Sequence, residues 1–200
     1  MVYVFFCIDG VLSDLPEHRP LTRRDGIIDS SGRPDADLLA LMTAVEDIPG
    51  VVVVVGNDWP CAYEIHTIRT TCAALGRRIV NGLMDSSAAQ EQSVLSFMST
   101  RPEPYLVVAP PDFGFCEIPP SRRIDFHEGI GFDSEAQSAL ISRLREIGYL
   151  AVRRVTRAQE LGAMPGGQPL ERARQNASAL HAKQDEKFQL ALQSLLGEGP

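Results

Sequence analysis

The sequence predicts an α/β fold, a three-layer sandwich on a mainly parallel five-stranded sheet, with a helical extension towards the C-terminal end. Three observations predict it. Val2–Ile8 and Val51–Val55 are short, continuous apolar runs rich in β-branched and aromatic residues, the pattern of strands buried on both faces. Amphipathic stretches at helical spacing separate the strand-like runs, and parallel neighbours need such crossovers. The length of 200 residues, with 44% hydrophobic and 22% charged, suits one core and excludes collagen-like and wholly disordered chains.

Val2–Ile8 is expected as the central strand. Residues 10–34 carry Gly10, Pro16, Pro20, Gly26, Gly32 and Pro34, a density of breakers that predicts an irregular flap with a short hairpin in it. Asp35 and Asp37 open a helix whose apolar face is Leu38, Leu39, Leu41, Met42 and Val45, stopped near Pro49-Gly50. Val51–Val55 is the second strand, with Gly56, Asn57 and Asp58 just beyond its carboxyl end, the rim where open α/β sheets bind ligands. Cys61–Leu75 reads as a second helix and Arg77–Val80 as a third strand. A helix capped by Asp85, Ser86 or Ser87 runs through Met98, followed by strands at Tyr105–Val108 and Arg122–Phe126 and a helix capped by Asp133. Tyr149–Val155 reads as an edge strand or an extended exit. The expected division is a domain over 1–155, a linker over 156–169 marked by Pro165-Gly166-Gly167, and an amphipathic helix over 170–197 with Leu170, Ala173, Ala177 and Leu180 at helical spacing. The alternation βαβαβαβα makes the domain Rossmann-like.

The 26 acidic residues exceed the 19 basic ones, and the net charge of -7 gives no global attraction for phosphate backbones, so nucleic acid is not supported as a partner. No Lys or Arg precedes Val2–Ile8, and no run approaches the ~20 apolar residues of a membrane span. A soluble, cytoplasmic protein with no membrane partner is expected. Cys7, Cys61, Cys72 and Cys116 form no CxxC pair, which suggests reduced thiols rather than a disulfide framework or zinc knuckle. His18 and His127 fall in expected loops, Trp59 beside the rim reads as a packing anchor, and the arginine pairs 23/24, 77/78, 122/123 and 153/154 lie in separate segments.

The segment Val2-Tyr-Val-Phe-Phe-Cys7-Ile-Asp9-Gly10-Val11-Leu12 resembles the opening of haloacid dehalogenase (HAD) superfamily phosphatases, an apolar strand followed by Asp-x-Asp-Gly-Val-Leu. Val51–Val55 with Gly56-Asn57-Asp58-Trp59 is similar to the second-motif strand of a HAD branch associated with RNA-repair proteins. Arg123-Ile-Asp-Phe-His-Glu-Gly-Ile-Gly-Phe-Asp133 is similar to that branch's closing strand and helix start. The resemblance spans residues 2–147. It implies that Cys7 stands at the position of the nucleophilic aspartate and Asp9 at that of the second aspartate, whose carboxyl is the general acid/base and whose main-chain carbonyl binds magnesium. Gly56 then replaces the phosphate-binding Ser or Thr, with Asn57 as a substitute donor; Gln90 falls at the basic position, and Asp112 is a displaced remnant of the acidic magnesium ligands.

A thiol is a poor magnesium ligand, and no Lys or Arg occurs between Val80 and Thr100 to neutralise a phosphoryl group. The resemblance therefore implies a degenerate domain, without cofactor, that binds a protein or a small phosphorylated ligand at a rim made of Gly10, Gly56, Asn57, Asp58 and Asp112. The alternative is a divergent phosphohydrolase acting on a phosphomonoester, a nucleotide or a nucleic-acid end, with Asp9 as general acid/base and Mg2+ on the Asp9 main-chain carbonyl and Asp112. Two readings of Asp9 stand, residual acid/base chemistry or a cap on the turn into Gly10. Catalysis by a Cys7 thiolate is disfavoured, because nearby aspartates crowd it with negative charge and no HCx5R cradle surrounds it.

Overall fold

The computed structural model of the chain describes residues 1–7, 22–23, 26–27, 34–56, 65–71, 75–83, 90–111, 115–126 and 131–167. Its centre is a five-stranded, all-parallel sheet of β1 (Val2–Phe6), β4 (Val51–Val55), β5 (Ile79–Gly82), β6 (Tyr105–Ala109) and β7 (Arg123–Asp125), in the order β5-β4-β1-β6-β7. The expected hairpin is present. β2 (Thr22–Arg23) pairs antiparallel with β3 (Gly26–Ile27).

β1 and β4 are buried at every position, as runs of Val, Phe and Tyr should be when both faces of the pleat are covered. Val4 is level with Val53 on one side and Leu106 on the other. Val2, Val4 and Phe6 pack on one face with α1 (Pro34–Val45), α2 (Ile65–Thr71) and α4 (Ser134–Ile147), through Leu41, Val45, Ile68, Leu140 and Leu144. Met1, Tyr3, Phe5 and Cys7 pack on the other with α3 (Gln90–Met98), Phe115, Ile118 and Ala163, through Val94 and Met98. These are the three layers of a Rossmann-like domain. Counted along the chain, the parallel strands lie in the order third, second, first, fourth, fifth, so the winding reverses between β1 and β6 and opens a crevice at their carboxyl ends. Among the described residues no helix is long and apolar enough to cross a membrane.

Side chains close the ends of the elements. Asp133 accepts from the amides of Glu135 and Ala136 at 3.0 and 2.9 Å, the expected cap of α4. Arg78 donates to the carbonyls of Ile48 and Glu46 at 2.8 and 2.9 Å and so satisfies carbonyls left over just after α1. The third strand begins at Ile79 rather than Arg77, since residues 75–78 form a turn in which the Arg78 amide donates to the Leu75 carbonyl at 2.6 Å.

Two expectations are corrected. Tyr149–Val155 is neither an edge strand nor wholly extended: Gly148, at φ 69°, ends α4, and Tyr149–Val152 forms the one-turn helix α5. Ala151 is buried there while Tyr149 and Val152 face solvent. The segment expected as a linker over 156–169 contains helix α6 (Arg157–Ala163), started by a capping box in which Thr156 and Gln159 bond each other's backbone. α6 docks through buried Asn81, whose amide donates to the Ala163 carbonyl at 2.8 Å. The expected helix over 170–197 and the proposed caps Asp85, Ser86 and Ser87 lie outside the described residues.

α1 is locked to the start of α4 by Asp37, which accepts from the Phe132 amide at 2.8 Å. Burial raises the Asp37 pKa, and the Phe132 amide offsets part of that rise. Gly131, at φ 81°, lies so close that a Cβ there would overlap the Asp37 carboxylate. Gly131→Ala should cost about 1–2 kcal/mol, from the left-handed backbone and the displaced carboxylate together, read as a lower urea midpoint at unchanged m-value.

Candidate functional site

The crevice is lined where strands end and helices begin. β1 delivers Cys7, whose side chain is fully buried and whose amide still donates to Val108 of β6 at 2.8 Å. β4 delivers Gly56, whose amide donates to the Phe6 carbonyl at 2.9 Å. α3 opens with Gln90, and its side-chain Nε2 donates to Cys7 Sγ at 3.4 Å. A Cβ built on Gly56 would stand 2.5 Å from both Cys7 Sγ and Gln90 Nε2, and 3.2 Å from Cys7 Cα. Three residues far apart in sequence therefore close on one point. Glycine is required at position 56 by that approach, without any need for an unusual backbone angle.

Of the residues expected at the site, Cys7 and Gly56 meet here, and Gln90 joins them. Asp9, Gly10, Asn57, Asp58 and Asp112 lie outside the described residues, as do His18, His127, Trp59, Cys61 and Cys72. Where Cys7, Gly56 and Gln90 meet, the chain offers a thiol, a carboxamide and backbone. Such a set does not fit magnesium, which takes hard oxygen ligands in a near-octahedral shell. Among the described residues no group of three or more His, Cys, Asp or Glu side chains is placed to hold a metal ion.

Sequence reasoning misses the residue that holds this corner together. Glu91, next to Gln90 and only 9% exposed, accepts from the backbone amides of Cys116, Glu117 and Ile118 at 3.0, 2.6 and 2.7 Å. Burial pushes its pKa up, but the three amides and the Arg123 charge outweigh that and leave it below the ordinary glutamate value. Gln92 adds a bond to the Glu117 carboxylate at 2.7 Å, and Arg123 donates to the Phe115 carbonyl at 2.6 Å. The first turn of α3 is thus clamped to the segment between β6 and β7, which fixes Gln90 over Cys7. The only sequence signal was an acidic residue in a helical first turn, a feature that reads equally well as a response to the helix dipole.

Members of three of the arginine pairs make local contacts. Arg78 caps α1; Arg122 stacks over the Tyr105 ring at 4.5 Å, and Arg153 lies 5.9 Å from the Tyr149 ring centre. Cys116 is an exposed thiol. Comparison of the chain with protein-family models, with curated proteins and with solved structures finds no match in any of the three.

Proposed function

We propose that the chain is a HAD-like domain that has lost phosphotransfer chemistry and serves as a binding module for a protein or a small phosphorylated ligand. The observation that carries this reading is the contact of Gln90 with Cys7 above Gly56. In the family that the sequence resembles, these positions supply an oxygen nucleophile, a cation and a phosphate-binding hydroxyl. In this chain they hold a buried thiol, a neutral amide and a hydrogen atom.

Phosphoryl transfer draws its rate from positioning and from charge neutralisation at the transferring oxygens. An amide in place of an ammonium group removes the second contribution, and loss of one such stabilising group costs on the order of 10²–10³ in rate. The close contacts of Cys7 and Gln90 at Gly56 also occupy the space that a hydroxyl-bearing side chain would need. The reading places the protein in the cytoplasm, where the Cys7 and Cys116 thiols stay reduced.

The test is phosphate release from a panel of phosphomonoesters, including nucleotides and phosphorylated oligonucleotide ends, with magnesium or manganese. Wild type, Asp9→Asn and Cys7→Ala are compared after circular dichroism has shown each to be folded. Wild type is expected to release no phosphate above the protein-free blank. Release that disappears in Cys7→Ala would establish thiol catalysis and overturn the proposal. Release lost only in Asp9→Asn would favour the divergent phosphohydrolase with Asp9 as general acid/base.

A further inference from the structure

The sheet ends in two edge strands, β5 and β7, and an edge strand offers its outward backbone donors and acceptors to any extended chain. The two edges differ. β7 is three residues long and charged, Arg123-Ile124-Asp125, with Asp125 exposed, and a short charged strand is a poor template for pairing. β5 reads Ile79-Val80-Asn81-Gly82 and carries no charge, and it is buried at all four positions although no strand lies beyond it among the described residues.

Asn81 and α6 stand where a neighbouring strand would. The Leu83 amide donates to Val55 of β4 at 2.9 Å, so the Gly82 amide before it points away from β4. Asn81 Oδ1 accepts from that amide at 2.8 Å, and Asn81 Nδ2 donates to the Ala163 carbonyl at the end of α6, also at 2.8 Å. One buried carboxamide thus takes the outward donor of the edge and ties α6 down. Three residues earlier, Glu160 pairs with Arg157 at 2.8 Å and reaches Arg69 of α2 at 3.8 Å. α2 packs on one face of the sheet through Ile68 and α6 on the other through Ala163, and both lie against β5, so their ion pair closes round that edge. A register shift between Val53 and Val54 makes β5 irregular as well, a further obstacle to regular pairing.

We propose that Asn81 and α6 form a removable cover over a strand-pairing edge, and that the occupant of this edge once α6 leaves is β5 of a second copy of the chain. Main-chain pairing needs no particular side chains, and two copies of an uncharged edge meet without like-charge repulsion. The cover can leave by itself. Ala163 is the one buried side chain of α6, so undocking the helix opens none of the packing between the strands. A seven-residue helix freed from its support has too few turns to persist, so loss of the dock and loss of the helix coincide.

The full-length chain tests this. Asn81→Ala, Asn81→Asp and Ala163→Arg are compared with wild type by sedimentation velocity over a range of concentrations and by hydrogen exchange, after circular dichroism has shown each to be folded. In Asn81→Ala the amides of residues 160–163 are expected to exchange about tenfold faster. A larger species, absent from wild type, should grow with concentration and protect the Gly82 amide as it grows. Asn81→Asp also loses the bond to Ala163, but it keeps an oxygen on the Gly82 amide and adds a charge to the edge, so it should free α6 and still sediment like wild type. Ala163→Arg leaves every strand residue in place and should associate more weakly than Asn81→Ala, because Asn81 still holds Gly82. Freed α6 with no new species in Asn81→Ala and Ala163→Arg would overturn the proposal, as would retained protection of 160–163 in both. Equal association of Asn81→Asp and Asn81→Ala, or a larger species whose Gly82 amide exchanges as in dilute protein, would overturn it too.

Discussion

Glu91→Ala is expected to lower the stability of the folded chain by about 2–4 kcal/mol, measured by urea unfolding at neutral pH. The carboxylate satisfies three backbone amides, and its removal leaves all three donors without their acceptor. A buried donor left unsatisfied costs about 1–3 kcal/mol. The amide of Ile118 is fully buried whereas those of Cys116 and Glu117 are partly so, and water can recover some of their loss, which holds the total below three full penalties. Glu91→Gln separates charge from shape. Its remaining carbonyl oxygen can serve Glu117 and Ile118, which both bond Oε1, but its NH2 group meets the Cys116 amide donor to donor. A loss of about 1–2 kcal/mol is expected.

The same residue predicts a pH dependence. The folded-state pKa of Glu91 lies below its unfolded value, so its contribution is complete above about pH 4.3 and is lost as pH falls through the folded value. The gap between wild type and Glu91→Gln should therefore be widest near neutrality and close as the solution is acidified below pH ~4. Asp37 works in the opposite sense. Its folded pKa is raised, so its linkage favours the folded chain most at low pH and fades as pH rises through that value. A gap that stays constant from neutral pH to acid would mean that hydrogen-bond geometry, and not the Glu91 charge, supplies the clamp.

The strands were legible in the sequence because β1 and β4 are continuous runs that only a doubly covered sheet can bury, and Gly56 was legible as a rim position because it follows Val51–Val55 directly, whereas Cys7 was read inside a strand over Val2–Ile8 and singled out only by the resemblance. Asp133 was legible because an N-cap is local chemistry. The capping box of α6 was equally local, Thr156 followed three residues later by Gln159, yet Pro165-Gly166-Gly167 nearby drew the whole stretch into a linker. Glu91 was not legible at all: its partners lie 25 to 27 residues away, and nothing in a helical first turn says which backbone it will meet. Tyr149–Val155 misled for a related reason. Its aromatic and β-branched residues favour a strand, but the Gly50 amide donates to the Ala151 carbonyl just before β4 and Ala151 is buried there, which anchors the segment as a helical turn at the end of the sheet.

Gly56→Ala should cost about 2–3 kcal/mol in thermal or urea unfolding, and much less when Cys7 is also alanine. The added methyl overlaps Cys7 Sγ and Gln90 Nε2, each 2.5 Å away. These obstacles differ in kind. The Gln90 amide ends a long side chain that can swing aside at small cost, whereas Sγ is one bond from a Cβ held by the sheet. Cys7→Ala removes the rigid obstacle and leaves the 3.2 Å approach to Cys7 Cα, which a shift of a few tenths of an ångström relieves. The double variant should therefore show a favourable coupling of about 1–2 kcal/mol relative to the sum of the singles. A coupling near zero would mean that Sγ is not what fills the space over Gly56, and the rim would have to be roomier than these contacts imply. If the coupling is present, placing a hydroxyl at position 56, as Gly56→Ser would, is opposed by the thiol at position 7. With a thiol at position 7, glycine at the end of β4 is a packing requirement.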